Sequence, residues 1–279
     1  MALTWIAALL AWEMAYRLIQ WPAWQFPAPS HIIDALFELV DIKTAFGATL
    51  SAYWPGPGPE DTRRTVAFTS LWNIPLVQGM AVTGVRLVIG FFASVVFGLL
   101  LGILMWRIKF LNGLFGPLFL GLQTLPSVCW VPLAVIIFGL QETGVLFVLV
   151  MGSCFAIAIG VRDGLRVIPP VYQKAGQMLG AKGWRMYRYV LLPASLPAMA
   201  SSLRQGFSFA WRSLMGAELM FMAVRNHGLG YLLDFARSFG DVAQVLAIMI
   251  LMIAIAMLVD RVVFARLERK IHKRFGLLQ

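Results

Sequence analysis

The chain has 279 residues, of which 60% are hydrophobic and 13% charged, with a mean hydropathy of +0.79 and a formal net charge of +10. A soluble domain carries about 25% charged residues, so this composition excludes an ordinary soluble globular protein and predicts an integral membrane one. The basic excess does not point to nucleic acid, because it is confined: residues 106–112 hold 2 basic and no acidic residues, 162–190 hold 6 against 1, and 261–279 hold 6 against 1. Those segments share one side of the membrane if the chain crosses after each, which is the positive-inside arrangement.

A bilayer span takes about 20 apolar residues. Residues 3–20 are read as a retained first span, interrupted by Glu13 and Arg17, whose i, i+4 spacing lets them pair on one helix face. Trp21 and Trp24 suit the interface beyond it. Residues 21–77 turn polar and net acidic and are expected outside. There Ser30 is placed to cap a short amphipathic helix through about Leu39, and Pro55-Gly56-Pro57-Gly58-Pro59 is irregular.

The second span, 87–106, carries Gly90, Ser94, Gly98 and Gly102, one small residue every four positions. On a helix they form a stripe that lets another backbone approach closely. Arg86 lies on the same stripe one turn outward, and Arg107 and Lys109 mark the cytoplasmic turn. Residues 110–141 are too long for one straight span and contain Pro117, Pro126 and Pro132. A break near Pro126 and Pro132 leaves carbonyls unpaired, which lipid tolerates only against protein or a cavity. The translocation pathway is therefore expected here, with Pro126, Ser127, Trp130 and Pro132 beside it; a kinked packing helix is the alternative. Cys129 and Cys154 fall inside apolar runs and read as small buried hydrophobes, with no disulfide or metal framework.

Residues 143–161 return the chain to the cytoplasm, where a polar interruption follows at 168–197. Tyr172, Ala175 and Leu179 can share one face of a first short helix. Gly180 supplies a turn that a residue with a Cβ resists, and Trp184, Tyr187 and Leu191 can share a face of a second. Pro193 and Pro197 then interrupt the backbone ladder, so the segment reads as helix, turn, helix, stop. It is a compact basic knob suited to the grip of another protein.

The next span, 196–223, contains Arg204, Arg212 and Glu218. Charges inside a span face the bundle interior or water. Two roles stand open for Arg212, a transient contact for a permeating anion or an ion pair with Glu218. Arg204, near the cytoplasmic end, is expected to snorkel. Residues 225–241, with Gly228-Leu229-Gly230, read as an outer loop, 242–259 as the last span, and the remainder as a basic helix anchoring the topology.

The run Lys174-Ala175-Gly176-x-x-x-Gly180-Ala181, with Trp184 and Leu192-Pro193 after it, resembles the EAA loop of ATP-binding-cassette importer permeases. It departs from the family pattern at Lys174, where Glu is usual, and at Gly176, where Ala is usual. The stretch QTLPSVCWVPLAVIIFGLQET is similar to the corresponding part of the nitrate, sulfonate, taurine and bicarbonate importer permeases, as are TGVRLVIGF and the basic tail. The likeness covers most of 27–276 apart from an insertion at 51–70.

That resemblance implies an all-α polytopic fold of about six membrane helices, the type I importer permease fold, with cytoplasmic coupling helices and both termini cytoplasmic in a bacterial inner membrane. It divides the chain into 1–80, the first helix and external segment; 81–265, a five-helix core with its coupling loop at 163–195; and 266–279, a basic tail. It also implies separate ATPase subunits that carry the ATP and Mg, a periplasmic or lipid-anchored binding protein, and a second permease copy in a homodimer. The implied substrate is a small anion: a sulfonate or nitrate first, bicarbonate next.

The residues themselves exclude some chemistry. No G-x-x-x-x-G-K-[ST] phosphate loop occurs, so this chain has no ATPase motif of its own. His31, His227 and His272 are scattered, which predicts no bound metal, and Glu13 and Glu218 are not placed as an acid/base pair. An ion-coupled carrier or channel and a membrane scaffold are the other classes compatible with the composition.

Overall fold

A computed structural model describes residues 2–19, 27–40, 74–221 and 227–274. Trp21, Trp24, the Pro-Gly run and the rest of the insertion lie outside the described residues. In chain order the helices are α1 (Ala2–Ile19), α2 (Pro29–Val40), α3 (Pro75–Arg107), α4 (Lys109–Thr124), a 3-10 turn (Ser127–Trp130), α5 (Val131–Phe138), α6 (Glu142–Arg166) and α7 (Pro170–Met178). There follow α8 (Trp184–Met186), which passes through a π turn (Tyr187–Leu191) into α9 (Leu192–Met220), then α10 (Leu229–Ser238), α11 (Val242–Val259), a second π turn (Asp260–Phe264) and α12 (Ala265–Arg274). Among the described residues there is no strand.

Among the described residues three helical stretches are long and apolar enough to cross a membrane: Pro75–Arg107, Glu142–Arg166 and Val242–Ile271. A fourth follows if Lys109–Thr124 and Ser127–Phe138, bent by 107° at their junction, make one broken span. The expected count of about six added residues 3–20 and 196–223, which form α1 and most of α9, each interrupted by charges.

The chain divides into two compact units, one of residues 1–85 with 224–254 and one of 86–223 with 255–279. In the first, Arg17 Nε donates to Glu13 Oε1 at 3.0 Å, as the spacing predicts. Ser30 does not cap α2: the helix begins at Pro29, whose fixed φ suits a first turn, and the Ser30 backbone N–H donates to Glu13 Oε2 at 3.3 Å. Ile32 and Ala35 of α2 bury against Ala247 of α11 and Trp12 of α1. Residues 225–241 are not the expected loop, since 229–238 are helical. Gly228-Leu229-Gly230 reads locally as a turn, but the Leu229 N–H donates to Thr83 Oγ1 at 2.9 Å and so finds on α3 the acceptor that a helix start lacks.

The second unit is built on α6. Val145, Val148, Leu149, Ile157, Ala158 and Val161 are fully buried, so this helix is covered on several sides by its neighbours. The small-residue stripe of α3 faces it: a Cβ at Gly98 would lie 2.7 Å from Ile157 Cγ2 and 3.0 Å from the Cys154 carbonyl, and one at Gly102 would lie 2.7 Å from the Ala158 carbonyl. At Gly90 the neighbour is Leu149, at 2.7 Å. Ser94, the polar member, accepts a hydrogen bond from Ser153 Oγ at 2.7 Å and donates to the Gly90 carbonyl at 2.7 Å.

Two expectations about prolines and one about a cysteine are corrected. Pro193 does not stop the second short helix, because the preceding π turn carries the Leu192 N–H to the Tyr187 carbonyl, five residues back, and the wider turn accommodates the missing donor. Pro132 does not break its helix either; it sits in the first turn of α5, where no N–H is required. Cys129 is exposed, while Cys154 is buried as expected.

Candidate functional site

The break expected on proline grounds falls at Leu125-Pro126. The extended conformation there, ψ 125° at Leu125 and 131° at Pro126, ends α4 and starts the 3-10 turn. Beside the break, α4, the turn, α6 and α9 leave a cavity of about 260 Å³ bordered by Gln123, Thr124, Pro126, Ser127, Arg212 and Ser213. Arg212 is exposed, its guanidinium 4.6 Å from the Phe209 ring centroid, and its Nε donates to the Ser208 carbonyl at 3.3 Å.

Of the pathway residues expected from sequence, Pro126, Ser127 and Arg212 border this cavity, whereas Trp130, Pro132 and Glu218 do not. Trp130 packs against Phe155, ring centroids 6.3 Å apart. The pairing of Arg212 with Glu218 is overturned. Six positions on an α-helix place side chains about 120° apart, and Glu218 instead accepts from Arg86 Nη1 at 2.9 Å. The same guanidinium is held by Glu142 through Nε and Nη2, both at 2.7 Å. This fork ties α3, the start of α6 and the end of α9. Glu142 is not readable as a partner because it lies within a polar Gln-Glu-Thr junction that reads as a connection.

At the other end of α9, Arg204 does not merely snorkel. Its Nε and Nη2 donate to the two carboxylate oxygens of Asp260, both at 2.7 Å, and its Nη1 donates to Glu268 at 2.9 Å. Ser201 Oγ adds a bond to Glu268 at 2.9 Å. The basic tail is thus fastened to α9 by its two acidic residues as well as serving any anchoring role.

The knob at 170–191 has the form expected of it. α7 ends at Met178, Gly180 takes φ +80° and Gly183 φ +54°, and α8 begins at Trp184. Lys174, Ala175, Leu192 and Gly180 are exposed; Gly176 is buried against Val190 and Met186. The Ala181 N–H donates to the Gly176 carbonyl at 2.9 Å, closing the turn. Tyr187 packs edge-on against Trp106 of α3, ring centroids 5.7 Å apart, and Leu191 is buried beside it, so the base of the knob is fixed to the helical core. Its tip is apolar and bare: Met178 and Leu179 are each 88% exposed. Among the described residues no group of three His, Cys, Asp or Glu side chains is placed to hold a metal ion.

Long apolar helices, a sharply bent helix pair beside a cavity and an exposed helical knob fit a polytopic membrane transport protein. The chain belongs to the family of binding-protein-dependent transport system inner membrane components, whose pattern it matches over residues 94–273. It is similar to a Methanocaldococcus jannaschii protein named as an ABC transporter permease, 33% identical over 67% of this chain and 69% of that one. It is similar as well to the taurine transport system permease protein of Escherichia coli, 30% identical over 66% of each chain, and to the nitrate import permease protein of a Synechocystis strain, 27% identical over 63% of each. These alignments span about two thirds of the length of each relative. In fold it resembles a chain of the inward-facing MetNI methionine ABC transporter, with a TM-score of 0.60 at 21% identity over 71% of this chain and 96% of that one. The chain is therefore a permease subunit of an ABC importer and has the fold of the type I permeases.

Proposed function

We propose that this permease imports a small anion, a sulfonate or nitrate first and bicarbonate next, driven by ATP and Mg bound on separate ATPase subunits. A periplasmic or lipid-anchored binding protein delivers the substrate, and two copies of the permease form the pathway between them. Both termini and the knob at 170–191 are cytoplasmic, and the knob seats in the ATPase through Lys174, Ala175, Gly176, Gly180, Ala181, Trp184, Leu192 and Pro193. The observation that carries the coupling role is the bare apolar tip, Met178 and Leu179, held out by a left-handed turn on a base anchored to the core. Bare apolar side chains at a polar end of a membrane protein are suited to burial by a partner. The substrate class rests on the names of the taurine and nitrate relatives.

Gly180 provides a clean test. A Cβ there would meet nothing within 4 Å, so Gly180→Val strains the turn, at φ +80°, without a steric clash. A β-branched residue resists that conformation by about 1–2 kcal/mol. The variant is expected to insert normally while losing ATPase association or substrate-stimulated ATP hydrolysis, measured on the purified complex. Normal association and full stimulated turnover would remove the coupling role from this segment.

A further inference from the structure

Resting on the importer reading, we propose that the cavity beside Pro126 is an oxyanion site of the permease itself, selective for anions that carry no ammonium group. The cation of the site is Arg212. Its Nε is engaged by its own helix at 3.3 Å and its Cζ lies over the Phe209 ring, which holds the guanidinium while, among the described residues, no carboxylate pairs with it. Arg86 and Arg204, by contrast, are each held by two carboxylates.

Hydroxyls and an amide share the cavity wall with the guanidinium. Gln123, Thr124, Ser127 and Ser213 border the cavity together with it. Gly152 lets α9 and the 3-10 turn approach α6 at this wall, since a Cβ there would run into Ser213 and lie 3.3 Å from Ser127 Cβ. A planar guanidinium sharing a cavity wall with neutral polar side chains suits an anion with several equivalent oxygens, such as nitrate, bicarbonate or a sulfonate head.

The selectivity follows from what the wall lacks. Among the described residues no Asp or Glu borders the cavity; its remaining lining is apolar, including Leu122, Leu125 and Val128. An amino-sulfonate entering it would have to desolvate its ammonium with no carboxylate to receive it, a cost that a plain alkanesulfonate avoids. The permease thereby adds discrimination to that of the binding protein. The site must also be weak, because a pathway site that traps its ion does not conduct.

The test uses the full-length permease in lipid nanodiscs without its partners, with radiolabelled methanesulfonate as probe and nitrate and taurine as competitors. Methanesulfonate is expected to bind and to be displaced by nitrate, whereas taurine should require about ten-fold more for the same displacement. Arg212→Gln should weaken probe binding about ten-fold and Arg212→Lys less, because an ammonium keeps the charge without the fork. Ser127→Asp should reverse the order, so that taurine displaces the probe better than nitrate does. Absence of probe binding, equal competition by taurine, or indifference to Arg212→Gln would each overturn the proposal. ATP-driven anion uptake by the complete wild-type complex would in those cases leave the importer reading standing; loss of that uptake with probe binding intact would do the reverse.

Discussion

At the scale of single residues, the two arginines 86 and 212 show how burial decides what a charge does. Arg86 is 6% exposed and grips Glu218, which is 3% exposed, at 2.9 Å. Removing one member of a buried pair leaves the other charge uncompensated, at a cost of about 3–5 kcal/mol. Arg86→Gln should therefore lower the thermal midpoint of the purified permease strongly, and the double change with Glu218→Gln should recover part of the loss. Arg212→Gln should change stability by less than about 0.5 kcal/mol, as expected for an exposed side chain away from such networks. Equal destabilisation by both single changes would contradict this assignment. The pair Glu13 and Arg17 is legible in the sequence because helix geometry joins residues four apart. The Arg86 partners, 56 and 132 positions away, are not, since only tertiary packing brings them together.

At the scale of elements, small-residue spacing carried more information than proline did. The four-residue period of Gly90, Ser94, Gly98 and Gly102 predicts a helix-packing face, and α6 lies against it. Gly98→Val should force α3 from α6, because its Cβ would press on Ile157 and on the Cys154 backbone, which cannot rotate away. Gly113→Val on α4, with nothing within 4 Å of a Cβ, provides the control. The first is expected to abolish recovery of monodisperse protein after detergent extraction and the second to leave it nearly unchanged; similar yields would argue that the close approach is not required. Prolines were less readable. Pro126 breaks the chain as expected, but Pro132 and Pro193 are absorbed by a first turn and a π turn. The sequence marks where a donor is missing but not how the neighbouring turn compensates. The cavity was half legible in the same way: Pro126, Ser127 and Arg212 could be named, whereas Gly152 and Ser213 border it only because α6 and α9 pack closely there.

At the scale of the whole molecule, composition alone settled the membrane class, and the concentration of the net positive charge in three short segments is what an inserted chain with one cationic side requires. Function was legible through resemblance at the knob and around Pro126, because those local geometries need particular glycines and prolines. The residues proposed to discriminate between anions carry no such local signature. The central claim is that ATP hydrolysed elsewhere drives an anion through this chain, and the most direct measurement is uptake into proteoliposomes. The permease, its ATPase and its binding protein would be reconstituted with radiolabelled methanesulfonate or nitrate outside and no ion gradient. Accumulation that requires ATP and binding protein and stops with a hydrolysis-deficient ATPase is the predicted result. Accumulation driven by a proton or sodium gradient with no dependence on ATP would contradict the account.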